Sequence, residues 1–523
     1  MRHLIQRPLV RCLFASLFTA VSYGQLVESR YRAPENWLTH DRDNTGQRFS
    51  PLRQIHTGNI NDLVVQWTFQ FNPLPTRSQV TPLVRDGVMY VTVGGDNAFA
   101  LDARTGRRLW HYRYRFKPEG STMDWNRGFA LHGDRLFMVT ADAHLIALDA
   151  RNGSLLWDSV LADPNQNYGA TAAPLIVGDR VLVGNAGGDS GTRGFLDAYQ
   201  VTTGERLWRF WTIPAPGEAG SETWPRNDSW KGGGGATWTT GTYDPSLNLV
   251  YWTTGNAGPK DYDGREREGD NLYTCSLIAL NPTTGKLVWH YQFTPHDVFD
   301  WDANEPPILL DMEWNGRPRK LVMQANRNGF FYVLDRTNGE FLLGKAFSRQ
   351  TWLKEFTPTG RPVRHPGASP SAKGTVICPD PYGGINWQSP TFSPLTGLLY
   401  VPTHDACAYY YFTGPSYDPP VHKPEDSLQA IDVRTGQRRW KIPLSGPSDH
   451  QMAGTVATAG GLVFFANRDG YFMAAGAEKG DILWHFYTGG SIRASPMTYA
   501  VEGKQYVAIA TRGALYVFGT HAK

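Results

Sequence analysis

The chain has 523 residues, 41% hydrophobic and 13% aromatic, with a formal net charge of only +3. That composition buries a large core and excludes a disordered chain. With no basic block and no basic amphipathic helix, it gives no reason to expect nucleic acid or a charged membrane surface as partner.

The first element is a targeting segment. Arg2, Arg7 and Arg11 precede an apolar run from Cys12 to Val21, and the small residues Ser22 and Gly24 follow. This is the pattern of a secretory signal peptide, residues 1–24, whose apolar part is too short to span a bilayer. Cleavage near Gly24 predicts a periplasmic or secreted mature chain, 25–523; an uncleaved anchor is the alternative. No other stretch is apolar for long enough to cross a membrane. Cys12 leaves with the signal, Cys275 in LYTCSLIAL reads as a small buried hydrophobe, and Cys378 and Cys407 lie in Gly/Pro-rich sequence where a staple would help. No CxxCH motif occurs, so the chain has no attachment point for a c-type haem.

A repeat then runs through the chain: AFALDARTGRRLW (98–110), LIALDARNGSLLW (145–157), LDAYQVTTGERLW (196–208), LIALNPTTGKLVW (277–289), FYVLDRTNGEFLL (331–343), LQAIDVRTGQRRW (428–440) and FMAAGAEKGDILW (472–484). Each copy is an apolar strand, a polar turn ending in Gly and a second strand closing on Trp or Leu, which is a hairpin signature. Further β-rich stretches such as DGVMYVTV lie upstream, so each unit supplies about four strands. Units of this size with no helical periodicity between them predict an all-β, eight-bladed β-propeller in one domain, with the tryptophans docking between neighbouring sheets. GALYVFG near the C-terminus would pair with LVVQWTFQF near residue 65 to close the ring. The Gly/Pro-rich segments GPSYDPPVHKP and PTGRPVRHPGASPSAKG read as surface loops.

Candidate chemistry sits between the repeats. Arg127 in WNRGFAL and Arg327 in QANRNGFF are cations in apolar sequence, either salt-bridged or placed to grip carboxylates and carbonyls. In WKGGGGATW (230–238), four glycines let backbone approach a neighbour closely and deliver Trp238 as a flat apolar surface; the plainer reading is a loop before a core tryptophan. In TPHDVFDWDANEP (294–306), Asp300 and Asp302 on an extended segment would point to one face, and two like charges held together call for a cation, a shared proton or water. A hard cation takes carboxylate and amide oxygens, which Asp189 in GGDSGTRG and Asn256 in TTGNAGP also offer. The alternative is that both acids cap turns or face solvent.

Together the repeats, WKGGGGATW, TTGN, TPHDVFDWD, NRNGFFYVLDR, INWQSP and the closing GTVATAGGLVFFANRDGYFMA resemble the pyrroloquinoline-quinone (PQQ) dependent alcohol dehydrogenases of the methanol and ethanol dehydrogenase type, over nearly the whole mature chain. The resemblance implies PQQ and one Ca²⁺ or lanthanide ion near the propeller axis. It implies Asp300 as catalytic base, with hydride transfer from a primary alcohol to C5 of PQQ. Asp189, Asn256 and Asp300 match metal-ligand positions, and Asp302 an extra carboxylate of lanthanide-using members. Trp238 matches the floor under PQQ, Arg327 a residue near the quinone carbonyls, and Arg127 with Thr171 the cofactor's polar edge. Gly187 and Gly188 match backbone beside the cofactor, Asn386 an asparagine near the quinone, and Cys378 with Cys407 a structural disulfide. Electrons would pass to a separate exported cytochrome c or similar acceptor. The pattern departs at Ser121 and Thr122, where relatives carry two adjacent cysteines, and at Gln79, Ala186, Ala236 and Met452, where relatives carry Glu, Ser, Thr and Trp. Two other readings stay open: a PQQ-dependent sugar, polyol or aldehyde dehydrogenase, and a propeller scaffold that has lost PQQ.

Overall fold

The structure, a computed structural model, describes residues 33–521 except 73, 76, 116–124, 259–261 and 446–451. The signal segment and the Ser121–Thr122 positions therefore lie outside the described residues.

The repeats fold as antiparallel sheets. The first is built from Leu83–Arg85, Val88–Val93, Asn97–Asp102 and Arg108–Arg113, hydrogen-bonded in that order. Sheets of the same plan follow at 130–160, 175–211, 242–292, 308–346 and 391–443, and another at 456–487. The last, at 497–520, takes Leu63–Gln70 as its outer strand through pairs from Leu63–Thr520 to Gln70–Ala514, the closure expected from GALYVFG and LVVQWTFQF. Inner strands such as Val88–Val93 are buried on both faces because a neighbouring sheet covers each side, so they read as continuous apolar runs. Outer strands such as Arg108–Arg113 bury only Trp110, which is why their sequence is charged.

That tryptophan marks the seam to the next sheet. Trp110 donates its indole N–H to the Ala150 carbonyl at 3.0 Å and lies against the Gly153 turn, where a Cβ would sit 2.7 Å from the ring. Equivalent contacts join Trp67 to Ala103 and Gly106, Trp157 to Val201 and Gly204, Trp208 to Pro282 and Gly285, Trp289 to Arg336 and Gly339, and Trp440 to Ala477 and Gly480. Trp484 donates to the Leu63 carbonyl and returns the series to its start. Between the sheets at 308–346 and 391–443, Leu343 and Lys345 meet the Gly436 turn instead. Contacts that run from each sheet to the next and back to the first are those of a β-propeller.

The N-terminal strap, residues 35–50, crosses this ring. It pairs Trp37 with Val84, accepts from Tyr243 and Leu309 at Asn44 and Thr45, accepts from Phe392 at Gln47, and lays Phe49–Ser50 parallel to Val456–Thr458. The two Gly/Pro-rich segments carry more structure than the surface loops expected. Leu353–Phe356 pairs with Pro362–Arg364, and Thr375–Ile377, Ala408–Tyr411 and Gly414–Ser416 form a three-stranded sheet. Cys378 and Cys407 are disulfide-bonded beside it, while Cys275 is a free, buried thiol just before Ser276–Leu280.

Candidate active site

One cavity of about 420 Å³ is lined by all eleven residues singled out above as cofactor or metal contacts: Arg127, Thr171, Gly187, Gly188, Asp189, Trp238, Asn256, Asp300, Asp302, Arg327 and Asn386. Arg127, Thr171, Trp238, Asp300, Asp302 and Asn386 come from the connections after five successive sheets, and Gly187, Gly188, Asp189, Asn256 and Arg327 from connections between the second and third strands of three of them, so the ring converges what the sequence scatters.

Asp300 and Asp302 are brought together by a route the alternation of a strand does not describe. Residues 293–307 are irregular, and Asp300 has φ 70°, a left-handed conformation costing roughly 1 kcal/mol or more for a residue with a side chain. Asp297 holds that turn: one carboxylate oxygen accepts from the Asp300 N–H at 3.1 Å, and both accept from Trp301 N–H. Trp301, between the two acids, is fully buried and donates its indole N–H to the Asp380 carbonyl at 2.9 Å. The acids then meet at one cation, since Arg327 donates to Asp302 at 2.9 Å and to Asp300 at 3.5 Å. Burial alone would lower the Arg327 pKa; the fields of Asp300, Asp302, Glu305 and Asp189 outweigh it and raise it, so the guanidinium is charged.

Asp302 is engaged on both oxygens. One accepts from Arg327 and from Trp238 Nε1 at 3.2 Å, the other from the Asn256 backbone N–H. It thus orders the cavity floor. Among the described residues no three His, Cys, Asp or Glu side chains form a metal-holding group. Asp302 lines the same cavity as Asp189, Asn256 and Asp300, the other residues expected to hold an ion. Asp189 lies exposed on the short turn Gly188–Ser190 at the cavity. The glycines of 232–235 do permit close approach, but to protein backbone: Gly235 donates to Asn256 and Gly258 to Gly233, both at 2.8 Å, which fixes Trp238 at the cavity wall.

Beside Trp238 lies Arg127. It is 3% exposed, donates to Thr171 Oγ1 at 2.6 Å and to the Trp238 carbonyl at 3.3 Å, and lies 4.8 Å from the Trp238 ring and 5.4 Å from that of Trp387. No carboxylate among the described residues pairs with it, and burial drops its pKa to about 9. Its Nε and the Oε1 of Gln79 are buried without a hydrogen-bond partner.

The family model described as "PQQ: Glucose/ethanol/alcohol dehydrogenase, beta-propeller domain" matches residues 37–346 and 409–507. The chain belongs to the PQQ-dependent alcohol dehydrogenases. It is an oxidoreductase of that family, 38% identical to the quinohemoprotein alcohol dehydrogenase ADH IIB of Pseudomonas putida over 97% of this chain and 78% of that one. The quinohemoprotein alcohol dehydrogenase of Comamonas testosteroni superposes with a TM-score of 0.89 at 33% identity, covering 96% of this chain and 82% of that one. A europium-containing methanol dehydrogenase superposes with a TM-score of 0.86 at 31% identity, covering 95% and 100%.

The alcohol dehydrogenase cavity fits the cofactor its family name carries. PQQ is a flat aromatic quinone bearing carboxylates; an indole wall offers it a face, and a buried guanidinium with no acid partner offers it a counter-charge. Hard oxygen donors from Asp189, Asn256 and Asp300 suit a hard cation. The cavity also takes residues that sequence reasoning passed over, namely Arg77, Trp125, Ser190, Tyr382 and Trp387. Trp387 stood next to Asn386 in INWQSP, and that adjacency was the available signal. Trp125 opened WNRGFAL two residues before Arg127, whereas Arg77, 5.1 Å from its ring, sits in irregular sequence with no motif.

Proposed function

We propose that this alcohol dehydrogenase is an exported, PQQ- and metal-dependent enzyme that oxidises a primary alcohol to an aldehyde. Asp300 is the base, and a separate cytochrome c or similar carrier is the electron acceptor. The observation that carries the reading is the shared cavity, lined both by Asp300 beside Arg327 and by the acid-less, buried Arg127 against Trp238. Bound PQQ would supply the two-electron oxidant, and the ion beside it a Lewis acid.

The chain's own residues then do three things. Arg327 holds a positive charge 3.5 Å from Asp300, the group placed to take the hydroxyl proton of the alcohol. Asp189, Asn256, Asp300 and Asp302 would hold the ion, calcium or a lanthanide, and Asp302 also fixes its surroundings through Trp238 and the Asn256 N–H. Trp238, Arg127, Thr171, Gly187, Gly188 and Asn386 hold the cofactor's face and polar edge. Around this site we read the eight sheets as eight blades, with the Trp–Gly seams as their docking motif.

The test is reconstitution. Purified protein given PQQ with Ca²⁺ or a light lanthanide should reduce an artificial dye when primary alcohols are added, and Asp300→Asn should abolish turnover while PQQ still binds. A panel including sugars, polyols and aldehydes assigns the substrate class. Failure to bind PQQ with any metal would overturn the reading.

A further inference from the structure

Behind the cavity lies a buried ion cluster that the reaction as described does not use. His404, 2% exposed, is bracketed by two carboxylates: its Nδ1 is 2.6 Å from Asp426 and its Nε2 3.3 Å from Asp380. A histidine placed between two acids is held as the imidazolium, and its pKa rises to about 10 because those acids outweigh the burial that would lower it. Asp380 is tied further. Its side chain accepts from the N–H groups of Tyr382 and Gly383 at 3.0 and 3.2 Å and from the Tyr417 hydroxyl at 3.1 Å, and its own N–H donates to the Ala406 carbonyl at 3.0 Å.

Two links run from Asp380 to the reacting end of the cavity. Its carbonyl accepts the indole N–H of Trp301, the residue between the two acids. The next carbonyl, that of Pro381, accepts from Arg327 Nε at 3.0 Å and Nη2 at 2.7 Å, the same guanidinium that reaches Asp300 and Asp302. The fit is close: at Gly383, φ +79°, a Cβ would lie 2.1 Å from Arg327 Cγ.

We propose that Asp426, His404 and Asp380 form a positioning triad, which clamps the 380–384 loop and so sets Arg327 and Trp301 on either side of the base. This rests on the reading of Asp300 as the base. His404 itself touches neither cavity nor reacting atoms. Tyr382, with its ring 6.5 Å from His404, Tyr417 on Asp380 and the buried Tyr410, which feels the Asp380 charge, are further titratable groups near the triad. Misplacing a guanidinium by a fraction of an ångström weakens the transition state more than substrate binding, so the effect belongs in kcat.

The experiment compares Asp426→Asn and His404→Gln with wild type, all loaded with PQQ and metal, with folding checked by circular dichroism and cofactor stoichiometry by absorbance. Both variants should bind cofactor one to one and lose about tenfold or more in kcat, with KM for the alcohol changed much less. Wild-type kcat should fall at high pH as the imidazolium is lost. Asp426→Asn removes one acid and lowers the His404 pKa, so this alkaline limb moves to lower pH. Wild-type kcat in both variants, or a loss in Asp426→Asn with the limb unmoved, would overturn the proposal. An inactive wild type would instead overturn the function it rests on.

Discussion

Arg327 divides one guanidinium among Asp302, Asp300 and the Pro381 carbonyl, and only a planar fork spans all three. Arg327→Lys keeps the charge and loses the fork, so the acids would no longer be held in register. We expect kcat to fall about 100-fold with the protein folded, read by dye-linked turnover beside a melting curve. Glu305, three residues beyond Asp302, makes a different prediction. It is 1% exposed with Oε2 lacking a partner, and burial pushes its pKa well above the usual carboxylate range. Between the unfolded value of roughly 4.3 and that raised value, the folded chain binds more protons than the unfolded chain, so this group's contribution to stability falls as pH rises. Glu305→Gln should remove that slope. It should stabilise the protein by about 1–3 kcal/mol at pH 8 and less at pH 4, measured by denaturant melts at the two pH values.

At the scale of elements, the hairpin and its glycine carry the seam. Gly153 is in the left-handed region, φ +76°, and a methyl group there would meet the Trp110 ring at 2.7 Å. Gly153→Ala therefore meets both backbone strain and a clash, and should lower stability by about 2–4 kcal/mol with activity at room temperature retained. Unfolding monitored by tryptophan fluorescence would show it, and an unchanged midpoint would mean the seam does not bear on stability. These elements were legible because a period of two and a glycine at fixed offset are local signals. The positions of the acids were not. TPHDVFDWD read as a strand edge puts Asp300 and Asp302 on one face, whereas the turn is set by Asp297 within the motif and by Asp380 and Arg327 far from it in sequence. The same limit hid the triad, since Asp380, His404 and Asp426 each lie more than twenty residues from the next.

For the whole molecule, closure depends on two things the repeats do not contain: the strand Leu63–Gln70 borrowed by the last sheet, and the strap before it. The strap hydrogen-bonds to the sheets at 83–113, 242–292, 308–346, 391–443, 456–487 and 497–520, so ordering it couples most of the ring. Its centre is Arg48, fully buried, which donates to the carbonyls of His40, Thr455 and Pro496 and to Asp41 at 3.0 Å. Burial would raise the Asp41 pKa; His40 and Arg48 outweigh it and keep the acid ionised inside the protein. Removing the cation strands that charge, and the loss should be global rather than a frayed end. Arg48→Ala is expected to cost about 3–5 kcal/mol, shifting one cooperative transition without splitting it. Limited proteolysis decides between the two outcomes, because a merely frayed strap would be cut near residues 35–60 while the melting midpoint stayed where it was. A lowered midpoint with protection of that segment up to the transition is the result expected if the strap and the ring fold as one unit.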